Sequence, residues 1–311
     1  MDDGGRRVDA RGLTQPTAAE AVSGILMILA AYCVITGADA AVKWALPHVG
    51  VALSMVARGV IGSIAVLAMT RGRGIAPRNR RLLIMRGVLH CAVSATWYWA
   101  WVSGMALVDS YAIAAAAPLI MTLLAIPMLG ETVGWRRWTS TVIGFCGVLF
   151  MLQPSGDLWR FETPFLLVAV IAMAVTRIWT RSLSATDTPA GVAFWLMVAH
   201  VPMGLILLPA FPPPAALPGA GVILALVFFG IANAIAHMLF ARAFGLAPVS
   251  ALAPYEYSPL LIGGVIGFLI WAEVPAWTTV TGAVVVIAAG LYNLHRERVR
   301  RAEERRMTGA G

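Results

Sequence analysis

The chain has 311 residues, of which 59% are hydrophobic and only 12% charged, with a mean hydropathy of +0.81. A soluble domain averages about 45–50% apolar and about 25% charged residues, so a water-soluble enzyme or a nucleic-acid-binding domain is excluded as the body of the protein. The net charge of +8 fits basic loops facing anionic lipid, with no nucleic-acid partner required.

Residues 1–20 read as a charged tail, and ten apolar stretches follow near 21–42, 49–69, 82–104, 109–129, 136–152, 163–182, 189–209, 219–243, 248–270 and 276–294. Each approaches the roughly 20 residues that a helix needs to cross the hydrocarbon layer. The first stretch is too long for a cleavable signal peptide and lacks a small-residue cleavage site, so it stays in the mature protein. Cys33, Cys91 and Cys146 all fall inside spans, where no disulfide framework is implied. Residues 153–163 link the fifth and sixth spans, FPPPAALPG (211–219) is an external connector, and 295–311 form a second charged tail.

Charge sidedness supports this count. Of the 23 Lys and Arg residues, 18 fall on one side, in the tails and alternate loops, including Arg71, Arg73, Arg78, Arg80 and Arg81. Lys43 and Arg160 fall on the other side, while Arg58, Arg86 and Arg177 lie within spans. The positive-inside rule then puts both termini in the cytoplasm, in a multi-pass protein of the cytoplasmic (inner) membrane.

An internal repeat orders the spans. The segment from Gly130 (GETVGWRRWTSTVIGFCGVLF) recurs at an offset of 142 residues from Ala272 (AEVPAWTTVTGAVVVIAAGLY), pairing Glu131 with Glu273, Trp135 with Trp277, Thr139 with Thr281, Val142 with Val284 and Leu149 with Leu291. Upstream, AIAAAAP ending at Pro118 resembles VSALAP ending at Pro254. Ten spans in two repeats give five each, and an odd number forces the second half to enter the membrane in the opposite direction. The expected fold is therefore all-α and integral to the membrane, with ten transmembrane helices in two inverted five-helix repeats, 21–152 and 163–294. Such repeats are typical of carriers, in which similar halves rock about a central site.

Ionisable and aromatic groups within the spans are the candidate site residues, because a charge at mid-membrane costs about 2.5–3.5 kcal/mol on insertion scales and needs a partner or a watery cavity. Arg58, in the second span, could anchor an anionic group or hold a fixed salt bridge. His90, Ser94, Trp97 and Trp101 share one face of the third span, and Asn233 and His237 share one face of the eighth. Aromatic faces of this kind hold planar or cationic solutes, although Trp99 and Trp101 also fit an interfacial belt. Glu256 is flanked by Tyr255 and Tyr257 and bracketed by Pro254 and Pro259, whose missing N–H groups free backbone carbonyls. Gly263 and Gly267 turn its face toward the bundle interior, where the carboxylate would bind a cationic group or carry a proton. Glu131 and Glu273 stand just before helices begin and read as stabilisers of helix N-termini. Asp39 and Lys43 are one turn apart, spaced to pair with each other and to serve an external gate.

The Asp39/Lys43 pattern, Arg58, Pro118 followed by Leu129-Gly130-Glu131, Arg-Arg-Trp at 136–138, and the run APYEY, WAE and Pro275 together resemble the EamA-type branch of the drug/metabolite transporter superfamily. The resemblance covers nearly the whole chain. It implies ten helices, cytoplasmic termini and a central solute cavity, but no particular substrate. No HExxH, GxSxG, P-loop or metal-ligand spacing occurs, so an enzyme, a resident metal and a cofactor are not expected. The reading is a secondary transporter of a small organic metabolite or drug-like solute, with export as the expected direction and a proton or cation as the coupled partner. Membrane lipid is the other partner, and the protein is a monomer or a homodimer. A vitamin, nucleoside or cation importer of the same fold is the alternative, ahead of a channel or a membrane enzyme.

Overall fold

A computed structural model describes residues 18–129, 135–152, 159–247, 249–285, 287–289 and 291–292. The expectations for Glu131, for most of the N-terminal tail and for the C-terminal tail fall outside the described residues. All regular structure among the described residues is helical. In an apolar medium the helix is the spanning element that satisfies its own backbone groups.

The first two expected spans form one bent helical run, α1 (Ala18–Thr70), rather than two helices joined by a loop. The bend falls at Gly50, with φ 73° and ψ 172°, three residues after Pro47. That φ/ψ combination is essentially reserved for glycine, and proline removes one helical donor just before it. The hydroxyl of Ser54 donates to the carbonyl of Gly50 at 2.8 Å and ties the two limbs together.

The third span is α2 (Arg80–Val102), capped by Asn79, whose side chain accepts from the Leu82 N–H. Four helices among the described residues are long and apolar enough to cross a membrane, and α2 is not one of them. Arg80, Arg81, Arg86 and a polar stripe depress its hydropathy, although that stripe faces inward and costs nothing toward lipid.

The fourth span is broken into α3 (Leu107–Ala114) and α4 (Ala117–Leu129). Pro118 cannot donate to the carbonyl of Ala114, and the helix yields there. Then come α5 (Trp135–Leu152), α6 (Thr163–Leu183), α7 (Pro189–Leu207) and α8 (Ala220–Leu246). The ninth span is also broken: α9 (Val249–Leu252), a 3₁₀ turn over Ala253–Tyr257, and α10 (Ser258–Trp271). A last apolar helix, α11, covers Trp277–Ala289.

Helices distant in sequence pack on one another. The bent α1 lies along α7 and α8, while α2 lies along α6 and α7. The broken span α3–α4 touches α6, and α10 touches α1 and α3. Buried Met55, Phe229, Phe240 and Phe244 fill the interior, whereas Ile64, Val168, Leu224 and Leu269 are exposed. An outward apolar surface of that extent suits a bilayer, not water.

Candidate functional site

The inner faces of α1, α2, α6, α8 and the two broken spans line a cavity of ≈ 100 Å³. Of the expected site residues, Arg58, His90, Ser94, Trp97, Trp101, Asn233, His237 and Glu256 line it, together with Asp39 and Pro259. Each break contributes to the wall, through Ala114 ahead of Pro118 and through Glu256 and Pro259 in the ninth span.

Arg58 is only 4% exposed and organises one end of this cavity. Its Nη1 donates to Ser94 Oγ and to Tyr98 Oη, both at 2.9 Å. Its Nη2 meets His237 Nε2 at 2.9 Å and His90 Nε2 at 3.5 Å. A guanidinium can only donate, so His237 must accept at Nε2 and carry its proton on Nδ1. Behind this layer, His200 Nδ1 lies 2.8 Å from the Leu196 carbonyl, which leaves its Nε2 to accept from Ser94 Oγ at 3.1 Å. Every partner of Arg58 is therefore neutral, and no carboxylate among the described residues lies within ion-pair distance of it. The three imidazoles do not form a metal site: among the described residues no three His, Cys, Asp or Glu groups are placed to hold a metal ion.

At the other end, Arg177 Nε lies 3.4 Å from Glu256 Oε1, and the guanidinium sits over Phe240, 4.2 Å from the ring centroid. Glu256 is thus a paired carboxylate, not a free one. Asp39 Oδ2 accepts from Tyr111 Oη at 2.7 Å. Gly263 permits this arrangement, because a Cβ there would stand 2.3 Å from the Tyr111 ring.

Several expectations are corrected by this geometry. Lys43 pairs with Glu273 across the bundle, not with Asp39 one turn away. Glu273 does stabilise a helix N-terminus, but not that of α11: its Oε2 accepts from the Leu107 N–H at 2.8 Å, at the start of α3. Gly267 makes room for that carboxylate, since a Cβ there would meet Glu273 Oε2 at 2.6 Å. Tyr255 and Tyr257 do not line the cavity; they pack into two different apolar clusters. A 3₁₀ turn advances about 120° per residue, so neighbours at 255, 256 and 257 point three ways and only Glu256 faces inward. The carbonyl that Pro259 frees, on Tyr255, is satisfied by the Ser258 hydroxyl at 2.7 Å, so it is not open to a solute. Trp101 is a cavity residue, its Nε1 donating to Ser110 Oγ at 3.0 Å, while Trp99 stacks edge-on with Phe161 and Phe165. Pro118 is buried at its helix break and does not line the cavity; of Pro254 only the backbone, within the 3₁₀ turn, is described.

Sequence reasoning missed Tyr32, Tyr98, Tyr111, Met173, Arg177 and Phe240. Two of these were signalled. Tyr98 falls on the stripe of His90, Ser94 and Trp101, and Arg177 is an intramembrane charge. Tyr111 and Met173 carried no comparable mark, because helical spacing alone does not show which faces converge.

The all-helical fold with its outward apolar surface defines an integral membrane protein. Residues 22–153 match the EamA-like transporter family. The match takes in the first half of the chain, and relatives named as transporters extend the similarity into the second half. It is similar to the S-adenosylmethionine uptake transporter of Rickettsia prowazekii, with 28% identity over 183 residues, covering 59% of this chain and 61% of that protein, which is less than two thirds of its length. The riboflavin transporter of Vibrio cholerae is 26% identical over 253 residues, covering 80% and 83% of the two chains. The pseudopaline exporter of Pseudomonas aeruginosa is 23% identical over 271 residues, covering 86% and 94%. A solved crystal structure superposes with a TM-score of 0.64 over 88% of this chain and 96% of its own, at 17% identity, a likeness of fold alone. These relatives are named as transporters, not as enzymes.

Proposed function

We propose that the chain is a secondary transporter of a small zwitterionic organic solute, which it holds in the central cavity and passes by alternating access between two inverted five-helix repeats. The observation that carries this reading is Arg58: a buried guanidinium whose hydrogen-bond partners are all neutral and which has no carboxylate within ion-pair distance among the described residues. A buried charge without a counter-charge is costly, so an anionic solute group gains most by meeting it there. Asp39, hydrogen-bonded to a phenol but without a cation within ion-pair distance among the described residues, supplies the opposite pole. Trp97, Tyr98 and Trp101 supply flat apolar walls between the poles.

The repeat reading is supported by the breaks in the fourth and ninth spans, which are equivalent positions in the two halves, and by the reciprocal packing of α1 on α8 and of α2 on α6 and α7. Interrupted helices at matching positions are where carriers of this kind place their solute sites. Relatives are named for both uptake and export, so the site chemistry, not direction, is the substance of the proposal.

Purified protein would be tested with S-adenosylmethionine, its decarboxylated form and uncharged riboflavin. Removing the carboxylate should weaken binding by about 10-fold or more, the worth of a charge-assisted hydrogen bond. Arg58→Gln should abolish that discrimination while the protein elutes as a folded species. Equal affinity for all three probes would overturn the zwitterion reading.

A further inference from the structure

Outside the central cavity, two adjoining hollows share one residue. An apolar groove of ≈ 560 Å³ runs between α2 and α7, walled by Ile84, Val88, Trp195, Val198, Ala199 and Met203. Its Arg-rich end is bounded by Pro77 and Arg80. A second hollow of ≈ 600 Å³ opens beside it, lined by Arg78, Asn79, Arg80, Arg81, Ala185 and Thr186. Arg80 belongs to both.

The charge in this second hollow is unbalanced. Asp187 lies next to it, but its carboxylate is committed to backbone, accepting from the N–H groups of Arg78 and Asn79 at 2.8 and 3.1 Å. Among the described residues the guanidinium groups of Arg78, Arg80 and Arg81 have no acidic partner. The floor is rigid, because Trp195 Nε1 donates to the Ile75 carbonyl at 2.8 Å and fixes the indole as a wall of the groove. Ile84, 62% exposed, and Val88 stand open along the same face of α2.

We propose that this composite surface is a binding site for one anionic phospholipid, with its headgroup phosphate among Arg78, Arg80 and Arg81 and an acyl chain in the α2–α7 groove. The charge complementarity selects an anionic headgroup, and the position of the groove selects a lipid tail over a protein. The apolar wall lies along transmembrane helices, where the surrounding medium is hydrocarbon, while the arginines stand at the helix end where phosphates lie. A free phosphate would satisfy the arginines but leave the groove unexplained. The same helices, α2 and α7, reach inward to Ser94 and His200 behind Arg58, so an ordered lipid would brace the wall of the solute site.

The test is native mass spectrometry of the full-length chain in mild detergent, titrated with dioleoyl phosphatidylglycerol, dioleoyl phosphatidylcholine and glycerol 3-phosphate. Phosphatidylglycerol should bind about 10-fold or more tightly than phosphatidylcholine, and replacing Arg78, Arg80 and Arg81 together by Gln should bring the ratio below about 2-fold, since each surface arginine contributes about 5-fold. Val198→Trp, which fills the groove, should weaken binding of phosphatidylglycerol, and glycerol 3-phosphate should not compete. The backbone contacts of Arg78 and Asn79 to Asp187 do not use the arginine side chains, so the triple variant keeps its helix start; Arg80→Gln alone serves as the milder variant. Equal binding of the two lipids, an undiminished preference in the Gln variants, unchanged binding in Val198→Trp, or competition by glycerol 3-phosphate would each overturn the proposal, as would a co-purifying protein in place of lipid.

Discussion

Replacing Glu256 by Gln removes the charge opposite Arg177 without changing side-chain size, in a place where both partners are less than a tenth exposed. At the observed 3.4 Å separation and an effective dielectric of about 20, the Coulomb energy between the two charges is about 5 kcal/mol. Breaking one half of such a buried pair leaves an uncompensated charge and typically costs about 3–5 kcal/mol. The face of Phe240, 4.2 Å from the guanidinium, retains about 1–2 kcal/mol of that by cation–π attraction. Glu256→Gln should therefore lower stability by about 1–4 kcal/mol, whereas Arg177→Met combined with Glu256→Gln should recover most of the loss, because no charge is then left unpaired. Thermal unfolding in mild detergent, read by size-exclusion recovery across the four members of the cycle, gives the coupling directly. Additivity of the two single substitutions to within about 0.5 kcal/mol would show that the residues do not act as a pair and would refute the reasoning.

The remaining predictions concern the walls of the site. Gly263→Ala places a Cβ 2.3 Å from the Tyr111 ring and should cost about 1–3 kcal/mol by overpacking; an unaltered melting temperature in Gly263→Ala would contradict the packing described. Exchanging Lys43 and Glu273, as Lys43→Glu with Glu273→Lys, restores opposite charges but not the acceptor for the Leu107 N–H, so the swap should stay about 1–3 kcal/mol below the parent in an unfolding assay. Full recovery would mean that the cap on α3 is unimportant.

Membrane residence and the ten apolar stretches could be read from the sequence because they depend on local composition, which is written residue by residue along the chain. The same holds for the stripe of His90, Ser94, Trp97 and Trp101, since one helix fixes their common face. Arg58 stood out for a similar reason: a charge in an apolar run needs a partner wherever it lies. Its actual partners, Ser94, Tyr98, His90 and His237, come from two other helices, and such convergence is decided by packing. Lys43 shows the limit most plainly. Helical spacing offered Asp39 as its partner, yet tertiary packing brought Glu273 from 230 positions away and gave Asp39 to Tyr111 instead. In the same way Pro254 and Pro259 announced a break in the ninth span, but only the 3₁₀ geometry of the turn decided that Glu256 faces the cavity while Tyr255 and Tyr257 pack elsewhere. Local pattern determines which residues are costly to leave alone; the meeting of faces in three dimensions determines which groups relieve that cost.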